Sequence, residues 1–290
     1  MNRRSTNKGE GVKILLAGAV VGLVVMGAVP RDDFRVEEIT FVSRSTKLAG
    51  SLVLPKNRAI SAAVVFVHGS GRQTRGMQWA RRFAAEGIAA FVYDKRGAGE
   101  SEGHYEEDQS VGEKNITLLA DDAAAAFDAI SGRDSLMNVP IGFAGISQAG
   151  WIVPMAAAKS KSSKFVLLWS GPVCKVSEED IYSKYTSDRD SDEPPSYARA
   201  LKSRTVKYVW PDFLGKDTDP KESLAKLSIP GLWIFGGRDG SIPVDLSIEG
   251  INELKRKGFP YEYVLFSGSG HNNMDETFAA AVDWIRRKVN

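Results

Sequence analysis

The chain has 290 residues, of which 43% are hydrophobic and 26% are charged, and its formal net charge is +2. This composition is typical of a globular protein with one large domain, and the near balance of charge argues against nucleic-acid binding. The single cysteine, Cys174, excludes an internal disulfide, and only three histidines accompany it, which disfavours a histidine/cysteine zinc site. We interpret Cys174 as a buried thiol without a catalytic role.

The first 30 residues differ from the rest of the chain. Arg3, Arg4, Lys8 and Lys13 precede an uncharged apolar run of 16 residues, 14–29, which is the layout of a signal peptide or a membrane anchor. The run is shorter than the roughly 20 residues of a full span, and it lacks a small-x-small cleavage site. The sequence predicts export to a periplasmic or extracellular location, or membrane attachment through residues 14–29. Cleavage and retention both stay open, and a buried N-terminal helix of the fold is the alternative.

After residue 30, segments with the apolar pattern of strands alternate with segments that have the apolar pattern of helices. Runs that alternate apolar and polar residues indicate half-buried strands, continuous short runs indicate buried strands, and a 3.6-residue period indicates helices. The predicted strands cover 38–43, 48–54, 62–67, 88–93, 140–144, 165–169, 232–235 and 261–266, and the predicted helices cover 77–87, 114–130, 151–158, 246–257 and a C-terminal segment around 278–284. Residues 44–47 suit a hairpin turn between the first two strands. This order predicts an α/β fold with a mostly parallel sheet and helices on both faces.

Residues 171–228 break the alternation of strands and helices. They are rich in charged residues, Ser and Pro, but their tyrosines and Trp210 supply groups that can pack. We therefore predict an inserted, mostly helical cap inside a domain that covers residues 31–290.

Three carboxylates of the helix predicted at 114–130 need an interpretation of their own. Asp121, Asp122 and Asp128 fall mostly on the side opposite its apolar residues. We interpret them as a solvated helix face.

The stretch Gly145-Ile-Ser-Gln-Ala-Gly150 lies between a predicted strand and a predicted helix. A serine at the apex of such a strained turn has its hydroxyl clear of the backbone, where a substrate and a base can both reach it. The usual pattern is Gly-x-Ser-x-Gly, and Ala149 stands in its last position. Ser147 is the predicted nucleophile.

A serine hydroxyl needs a base to remove its proton and an acid to orient that base. On this type of turn the order along the chain is serine, acid, histidine, and His271 is the one histidine that follows Ser147. Asp239 comes directly after the strand at 232–235, at the edge of the sheet where Ser147 and His271 are expected. We predict Asp239 as the acid, with Asp245 as the alternative.

The tetrahedral intermediate needs backbone N–H donors for its oxyanion. One is predicted at Gln148, directly after the nucleophile. The other is predicted in the loop His68-Gly-Ser-Gly71, which follows the third strand. We choose Ser70 for that donor, with Gly69 and Gly71 as alternatives, and interpret His68 as a structural residue of the loop.

These motifs, taken together, resemble those of the α/β-hydrolase superfamily. The resemblance rests on 68–71, 93–101, 145–151, 237–239 and 270–271, in that order, and covers nearly all of residues 37–290 outside the cap. The run Asp94-Lys-Arg-Gly-Ala-Gly-Glu-Ser101 is similar to that of the dienelactone-hydrolase and serine-aminopeptidase branches. In those branches it shapes the loop beside the active site, and the resemblance assigns no catalytic role to Asp94 or Arg96.

The resemblance and the predicted triad imply a serine hydrolase that cleaves a small carboxylic ester through an acyl-enzyme, without a metal or an organic cofactor. A peptidase of the same fold is the first alternative. It would bind an amino terminus through acidic cap residues such as Glu178, Glu179 and Asp180, which we interpret instead as a solvated helix start. A catalytically silent binding protein is the second alternative, and the complete Ser/Asp/His set disfavours it. The apolar and aromatic cap residues suggest a further hypothesis, that the cap admits a hydrophobic acyl group.

Overall fold

The structure is a computed structural model that describes residues 33–106 and 111–289. The chain divides into two units after Pro30, and the second, Arg31–Asn290, contains the described residues. The predicted signal peptide or anchor at 1–30 lies outside them. In the described part, none of the helices has the length and apolar character needed to cross a membrane.

The regular elements follow the predicted order closely. The strands are β1 (Phe34–Ser43), β2 (Thr46–Pro55), β3 (Ala62–Val67), β4 (Ile88–Tyr93), β5 (Ile141–Ile146), β6 (Val166–Trp169), β7 (Gly231–Gly236) and β8 (Tyr261–Phe266). The helices are α1 (Met77–Ala85), α2 (Glu113–Ser131), α3 (Ala149–Lys159), α4 (Val176–Thr186), α5 (Tyr197–Lys202), α6 (Lys221–Leu224), α7 (Val244–Arg256) and α8 (Met274–Lys288). Short 3-10 turns lie at Asp134–Leu136 and Asp212–Leu214.

The described strands form one sheet in the order β1-β2-β4-β3-β5-β6-β7-β8. The strands from β4 to β8 run parallel, whereas β2 pairs antiparallel with both β1 and β4. The β1–β2 hairpin turns at Arg44 and Ser45, which both have positive φ, as a tight hairpin turn requires. The predicted architecture, an α/β fold with a mostly parallel sheet and helices on both faces, is confirmed.

Two apolar layers cover the two faces of the sheet. Alternate residues of each strand point to opposite faces, so Phe91 of β4 joins the layer under α2, α3 and α7, while Val92 joins the layer under α1 and α8. Both side chains are fully buried. The parallel arrangement brings the carboxyl ends of β3, β5, β7 and β8 to one edge of the sheet, where the loops with the predicted site residues begin.

The interpretation of the α2 carboxylates as a solvated face is wrong for Asp122. Its side chain is fully buried and forms an ion pair with Arg96, whose Nε donates to Asp122 Oδ2 at 3.0 Å. Asp128 is exposed, as expected. The helical period explains the difference, because Asp122 lies three residues after Leu119 and four before Ala126, both buried on the core side.

The insertion at 171–228 contains α4, α5, α6 and the 3-10 turn at Asp212–Leu214, so its regular elements in the described structure are helical. Ile181, Tyr182 and Ala200 form a small apolar cluster of their own there. Two hydroxyls then join the insertion to the loop after β7: Tyr182 donates to the Asp239 carbonyl at 3.2 Å, and Thr186 donates to the Gly240 carbonyl. The insertion is therefore attached directly to the loop that carries the predicted acid.

Candidate active site

Ser147 occupies a sharp turn between β5 and α3. Its φ is +54°, in the left-handed region that costs a residue with a side chain about 1 kcal/mol. The turn is held because the Ser147 N–H donates to the Trp169 carbonyl at 2.9 Å, and the Gly150 N–H donates to the Ser147 carbonyl at 2.8 Å. Strain of this kind persists where the surroundings fix the backbone, and it clusters at functional sites.

The small residues around Ser147 each have a steric reason. A Cβ added at Gly145 would lie 2.5 Å from the Cβ of Ala149, so the glycine at 145 makes the room that the Ala149 methyl occupies. A Cβ added at Gly150 would lie 2.5 Å from both Cδ and the backbone nitrogen of Pro172. Alanine in the last position of the motif is therefore compatible with the turn, and Gly150 allows α3 to approach the insertion.

The structure brings the three predicted triad residues together. His271 Nε2 lies 2.9 Å from Ser147 Oγ, and His271 Nδ1 lies 2.8 Å from Asp239 Oδ2. The alternative acid, Asp245, lies in the first turn of α7, where it accepts a hydrogen bond from the Tyr197 N–H at 2.9 Å. The geometry thus selects Asp239 as the partner of His271.

The Asp239 carboxylate is fixed by the loop that carries it. Its Oδ1 accepts hydrogen bonds from the N–H groups of Ser241 at 2.9 Å and Ile242 at 3.0 Å. The residue is only 1% exposed. A buried carboxylate with these donors is held in one orientation, with its remaining acceptor positions directed at His271.

The electrostatics of the site favour a basic imidazole. Burial acts to lower the pKa of His271, but the hydrogen bond and charge of Asp239, followed by the charges of Asp190 and Asp188, outweigh it and raise the pKa above its ordinary value. A raised pKa makes the imidazole a better proton acceptor. Asp239 makes the largest contribution that raises this pKa, so its removal would lower the pKa of His271.

The loop at 68–71 lies directly against the nucleophile. A Cβ added at Gly69 would be 3.4 Å from the Ser147 Cβ and 3.3 Å from the Ile146 carbonyl oxygen. Ser70 is exposed in the loop, and Gln148, which follows Ser147 directly, is buried. The two predicted oxyanion donors therefore belong to segments that meet at Ser147.

His68 anchors the base of this loop. Its ring is buried and packs edge-on against Tyr93, with 5.2 Å between the ring centroids. Burial, followed by the charge of Lys95, lowers the pKa of His68 to about 4. The imidazole is thus neutral near pH 7, in agreement with a structural role.

Lys95 was not identified from the sequence, and it lies beneath both predicted oxyanion segments. Its ammonium donates to the carbonyl oxygens of Gly69 at 2.8 Å and Gly71 at 3.1 Å, and to Gln148 Oε1 at 2.9 Å. The side chain is buried at 2% exposure. In the sequence, a lysine between Asp94 and Arg96 looks like any loop lysine, and no local pattern distinguishes it.

Asp190 was also missed. Its carboxylate accepts hydrogen bonds from the Gly240 N–H at 3.0 Å and the His271 N–H at 3.2 Å, so one side chain of the insertion holds both the acid loop and the base loop. Gly240 and Gly270 lack side chains where residues 189–190 approach them. In the sequence, residues 188–195 have the composition of a solvated charged loop. Nothing in that composition indicates that Asp190 contacts the loops of Asp239 and His271.

A cavity of about 660 Å³ opens at Ser147 and His271. Among the described residues, its wall combines apolar and polar side chains and carries three carboxylates but no Lys or Arg side chain. The lining residues are Phe66, His68, Gly69, Ser70, Gln73, Thr74, Gly76, Gln78, Trp79, Ile146, Ser147, Glu179, Ser183, Asp188, Ser241, His271, Asn272, Met274 and Asp275.

The cavity corrects two expectations about the insertion. Glu179, expected on a solvated helix start, is half-buried and lines the cavity, and burial together with Asp188, Asp180 and Asp239 raises its pKa to about 8. Glu178 instead accepts from the Lys175 N–H at 2.8 Å as part of the α4 cap.

The second correction concerns the cap aromatics. They were expected to admit an acyl group, but Tyr182, Tyr197 and Tyr208 pack in the insertion's own cluster. The aromatic side chains of the cavity wall are Phe66 and Trp79, and they come from the main domain. The hypothesis that the cap supplies an apolar acyl pocket is therefore wrong.

Cys174 fits its prediction. The thiol is fully buried, and burial raises its pKa well above the usual range. Its carbonyl oxygen accepts a hydrogen bond from Trp151 Nε1 of α3 at 2.9 Å. A protonated, inaccessible thiol is a packing group.

With this geometry in view, the comparison with known families gives a clear result. The family model of serine aminopeptidase, S33, matches residues 58–213, which is more than half of the chain. The chain belongs to this family. The match includes the loop at 68–71, the run at 94–101 and the turn at Ser147, and the protein is accordingly a serine hydrolase of the α/β-hydrolase fold.

Individual relatives are more distant. The polyketide transferase claH of Penicillium crustosum is 36% identical over 100 residues, which are 34% of this chain and 30% of that protein. Among solved structures, the esterase Pf2001 of Pyrococcus furiosus is 18% identical, with a TM-score of 0.62 over 91% of this chain and 95% of that chain. The acylaminoacyl peptidase of Pyrococcus horikoshii is also 18% identical, with a TM-score of 0.64 over 88% of this chain and 42% of that chain.

A third structure, acetyl xylan esterase 1 from a Thermoanaerobacterium species, is 13% identical, with a TM-score of 0.62 over 88% of this chain and 85% of that chain. At these identities the likenesses establish the fold and nothing finer. Esterases and a peptidase share that fold, so the choice between ester and amide has to be argued from the site itself.

Proposed function

We propose that the protein hydrolyses small carboxylic esters through an acyl-enzyme, with Ser147 as nucleophile, His271 as general base and acid, and Asp239 as the residue that orients His271. The observation that carries this proposal is the continuous relay from Ser147 Oγ through His271 to Asp239, with links of 2.9 Å and 2.8 Å. Both distances are within hydrogen-bond reach, as activation of a serine requires.

The proposed groups can carry out each step of acyl transfer. Ser147 Oγ attacks the ester carbonyl while His271 Nε2 takes its proton, and the oxyanion that forms is stabilised by the N–H groups of Gln148 and Ser70. The intermediate then collapses, and the protonated His271 gives its proton to the departing alcohol. Water repeats the sequence on the acyl-enzyme and releases the acid. All these groups belong to the chain itself.

The charge of the cavity restricts the substrate. Of the three carboxylates that line it, Asp275 is paired with Arg82 and Glu179 has a pKa of about 8, which leaves the charge of Asp188 near pH 7. None of the described basic side chains lines the cavity, so a substrate with its own carboxylate would meet repulsion from Asp188. The side chains of Phe66 and Trp79 in the wall provide apolar contact for a short acyl or alcohol group. A neutral ester fits this environment best.

The test compares p-nitrophenyl butyrate with mono-p-nitrophenyl glutarate, which carries a free carboxylate. The full-length protein should hydrolyse the neutral ester at least about tenfold more efficiently, since like charges in a partly desolvated site cost more than about 1.4 kcal/mol. Ser147→Ala should abolish turnover and labelling by a fluorophosphonate probe. Labelling of Ser147 without turnover of either ester would contradict the assignment as an esterase.

One observation favours a second candidate, an aminopeptidase. Glu179 faces the cavity at Ser147 and is surrounded by further carboxylates, an environment that attracts a protonated amine. At pH 8, where about half of the Glu179 side chains are ionised, Glu179→Gln should then lower kcat/KM for an aminoacyl p-nitroanilide and leave p-nitrophenyl butyrate unaffected. Glu178→Gln is the matched control, because the neighbouring side chain caps α4 instead. Absence of anilide turnover by the unmodified protein would remove this candidate, and activity loss in both variants would point to damage of α4.

We also propose that the protein is exported, or attached to a membrane through residues 14–29. The support is the basic start of the chain and the uncharged apolar run that follows it. Fractionation of cells that express the full chain, compared with a chain lacking residues 1–30, tests this. Equal cytoplasmic recovery of both would contradict it, and cleavage would be seen directly in the mass of the recovered protein.

A further inference from the structure

Lys95 is a buried cation whose hydrogen bonds all go to neutral oxygens. Its three described acceptors are the Gly69 carbonyl, the Gly71 carbonyl and Gln148 Oε1, at 2.8 to 3.1 Å. An ammonium has three donors, so these contacts fill its capacity. No carboxylate forms a described ion pair with Lys95, and its neighbour Asp94 is instead bonded to Arg75, at 2.6 Å.

The burial of Lys95 destabilises the folded protein unless its hydrogen bonds contribute to function. Burial of a charge without a counter-ion is unfavourable, and burial lowers the pKa of Lys95 to about 8. A buried methionine or leucine would fill similar space without that cost. What distinguishes the lysine is where its three acceptors lie.

The Gly69 carbonyl and the Ser70 N–H belong to one peptide unit. In a trans amide these two groups point in opposite directions, so an ammonium that holds the Gly69 oxygen from inside fixes the Ser70 N–H toward the opposite side. Gly69 itself lies against Ser147, and Ser70 lines the cavity. A hydrogen bond from a cation to the carbonyl also polarises the amide and strengthens its N–H as a donor.

The third contact of Lys95 reaches the other oxyanion segment. Gln148 Oε1 accepts from the ammonium at 2.9 Å, and the backbone N–H of Gln148 is the donor proposed directly after the nucleophile. A single charged group therefore connects the two segments that supply the two donors. Their separation and relative orientation depend on the same three hydrogen bonds.

We propose that Lys95 is a positioning residue that sets and polarises the backbone donors of the oxyanion hole, through the peptide of Gly69 and Ser70 and through the side chain of Gln148. This inference rests on the proposed function, since it assigns a role in stabilising the same tetrahedral intermediate. Lys95 does not touch the substrate, and it acts through Ser70 and Gln148.

The variant that tests it is Lys95→Met, which keeps the length of the side chain and removes the charge and the hydrogen bonds. Arg96→Met is the matched control, because it removes the adjacent buried cation, whose partner is Asp122 on α2. Loss of this pair also destabilises the fold, so kcat of every variant is expressed per folded protein, measured by circular dichroism. Loss of one oxyanion donor lowers kcat by about 100- to 1,000-fold. A donor that is displaced but still present should lower kcat by a smaller factor. We expect Lys95→Met to lower kcat and the rate of fluorophosphonate inactivation by about 10- to 100-fold, with KM changed less than about threefold.

The pH dependence of kcat provides a second test, because a purely structural role of Lys95 would not change it. The groups around the ammonium are the His68 imidazole, the Tyr105 ring at 5.6 Å and the Asp94–Arg75 pair, and His68 is neutral above about pH 4. Glu179 lines the same cavity and also has a pKa of about 8, so all profiles are recorded in a Glu179→Gln background. With its pKa lowered to about 8, Lys95 is charged below that pH and neutral above it. We expect kcat to fall above about pH 8 in this background alone and with Arg96→Met, and to stay level there with Lys95→Met.

A measurement that does not depend on activity separates this inference from the proposed function. In amide NMR spectra of the full chain, the Ser70 and Gln148 N–H resonances should shift with a midpoint near pH 8, and this titration should be absent in Lys95→Met. Lack of ester turnover and of Ser147 labelling in the unmodified protein would overturn the proposed function. Amide resonances that do not titrate near pH 8, or equal kcat losses in Lys95→Met and Arg96→Met, would overturn the role of Lys95.

Discussion

The close approach of Gly145 and Ala149 allows the strand-to-helix turn to be tested by a pair of substitutions. In Gly145→Ala the new methyl would lie 2.5 Å from the Ala149 Cβ and 3.0 Å from the Val67 carbonyl oxygen. Ordinary carbon contacts are 3.5–4.0 Å, and Ala149 is fully buried, so the surroundings have little room to adjust. We expect Gly145→Ala to reduce the free energy of unfolding by about 1–3 kcal/mol, and to lower kcat because the turn carries Ser147.

The second substitution, Ala149→Gly, removes the methyl group that causes the clash. By itself it should cost about 1 kcal/mol, because it removes a fully buried methyl group at the first residue of α3. In the double variant the closer clash is absent, whereas the approach to Val67 remains. The double variant should therefore be more stable than the sum of the single effects predicts, by about 1–2 kcal/mol of coupling.

Urea unfolding of the unmodified protein, both single variants and the double variant measures this coupling. Gly142→Ala is the matched control from the same strand, since its added Cβ would lie 2.6 Å from the ring of Phe165 and not near Ala149. Ala149→Gly should not rescue it. Additive effects of Gly145→Ala and Ala149→Gly would refute the steric account of the motif, as would an equal rescue of Gly142→Ala.

Three further predictions concern the contacts that hold the site. Asp239→Asn should lower kcat by about 10³- to 10⁴-fold and move the acid limb of the kcat/KM profile to lower pH, because Asp239 raises the pKa of His271 against the effect of burial; an unmoved limb in steady-state assays would contradict this. Asp190→Ala should lower kcat by about 10-fold, a partial loss expected when two loops are loosened, with melting temperature as the control. Arg96→Met should destabilise the fold by about 3–5 kcal/mol, because it leaves Asp122 buried without its partner, and a smaller change in urea unfolding would show that Asp122 is neutralised.

The parts of this molecule that could be predicted from the sequence are those in which one residue type or one period decides the outcome. Continuous apolar runs marked β3 and β4 at the residues where they occur, because a strand buried on both faces requires apolar side chains throughout. Ser147 and His271 were predictable because a glycine-flanked serine turn and the order of the triad leave few candidates. The burial of Asp122 could also have been predicted, because its three-residue spacing from Leu119 places it on the core side of α2.

Other parts depend on contacts between distant segments, which no local pattern encodes. Lys95 bonds to residues 26 and 53 positions away, and Asp190 bonds to an N–H 81 positions away. Glu178 and Glu179 are adjacent residues of the same type, but Glu178 caps α4 and Glu179 faces the cavity. The orientation of α4 about its axis determines this difference. Charged residues in loops are ordinarily solvated, so a sequence-based reading assigns them to the surface.

The polar side chains of residues 94–101 make different kinds of contact. Asp94 accepts hydrogen bonds from the N–H groups of Arg75 and Glu100, at 2.7 and 2.9 Å, and Ser101 Oγ donates to the Asp94 carbonyl at 2.7 Å; both residues therefore close the loop on itself. Arg96 joins the loop to α2 through Asp122. Of these four polar side chains, Lys95 is the one whose bonds lead to the nucleophile turn. Since the other three already account for the shape of the loop, the position of a buried charge at residue 95 is explained best by what it does for the amides beside Ser147.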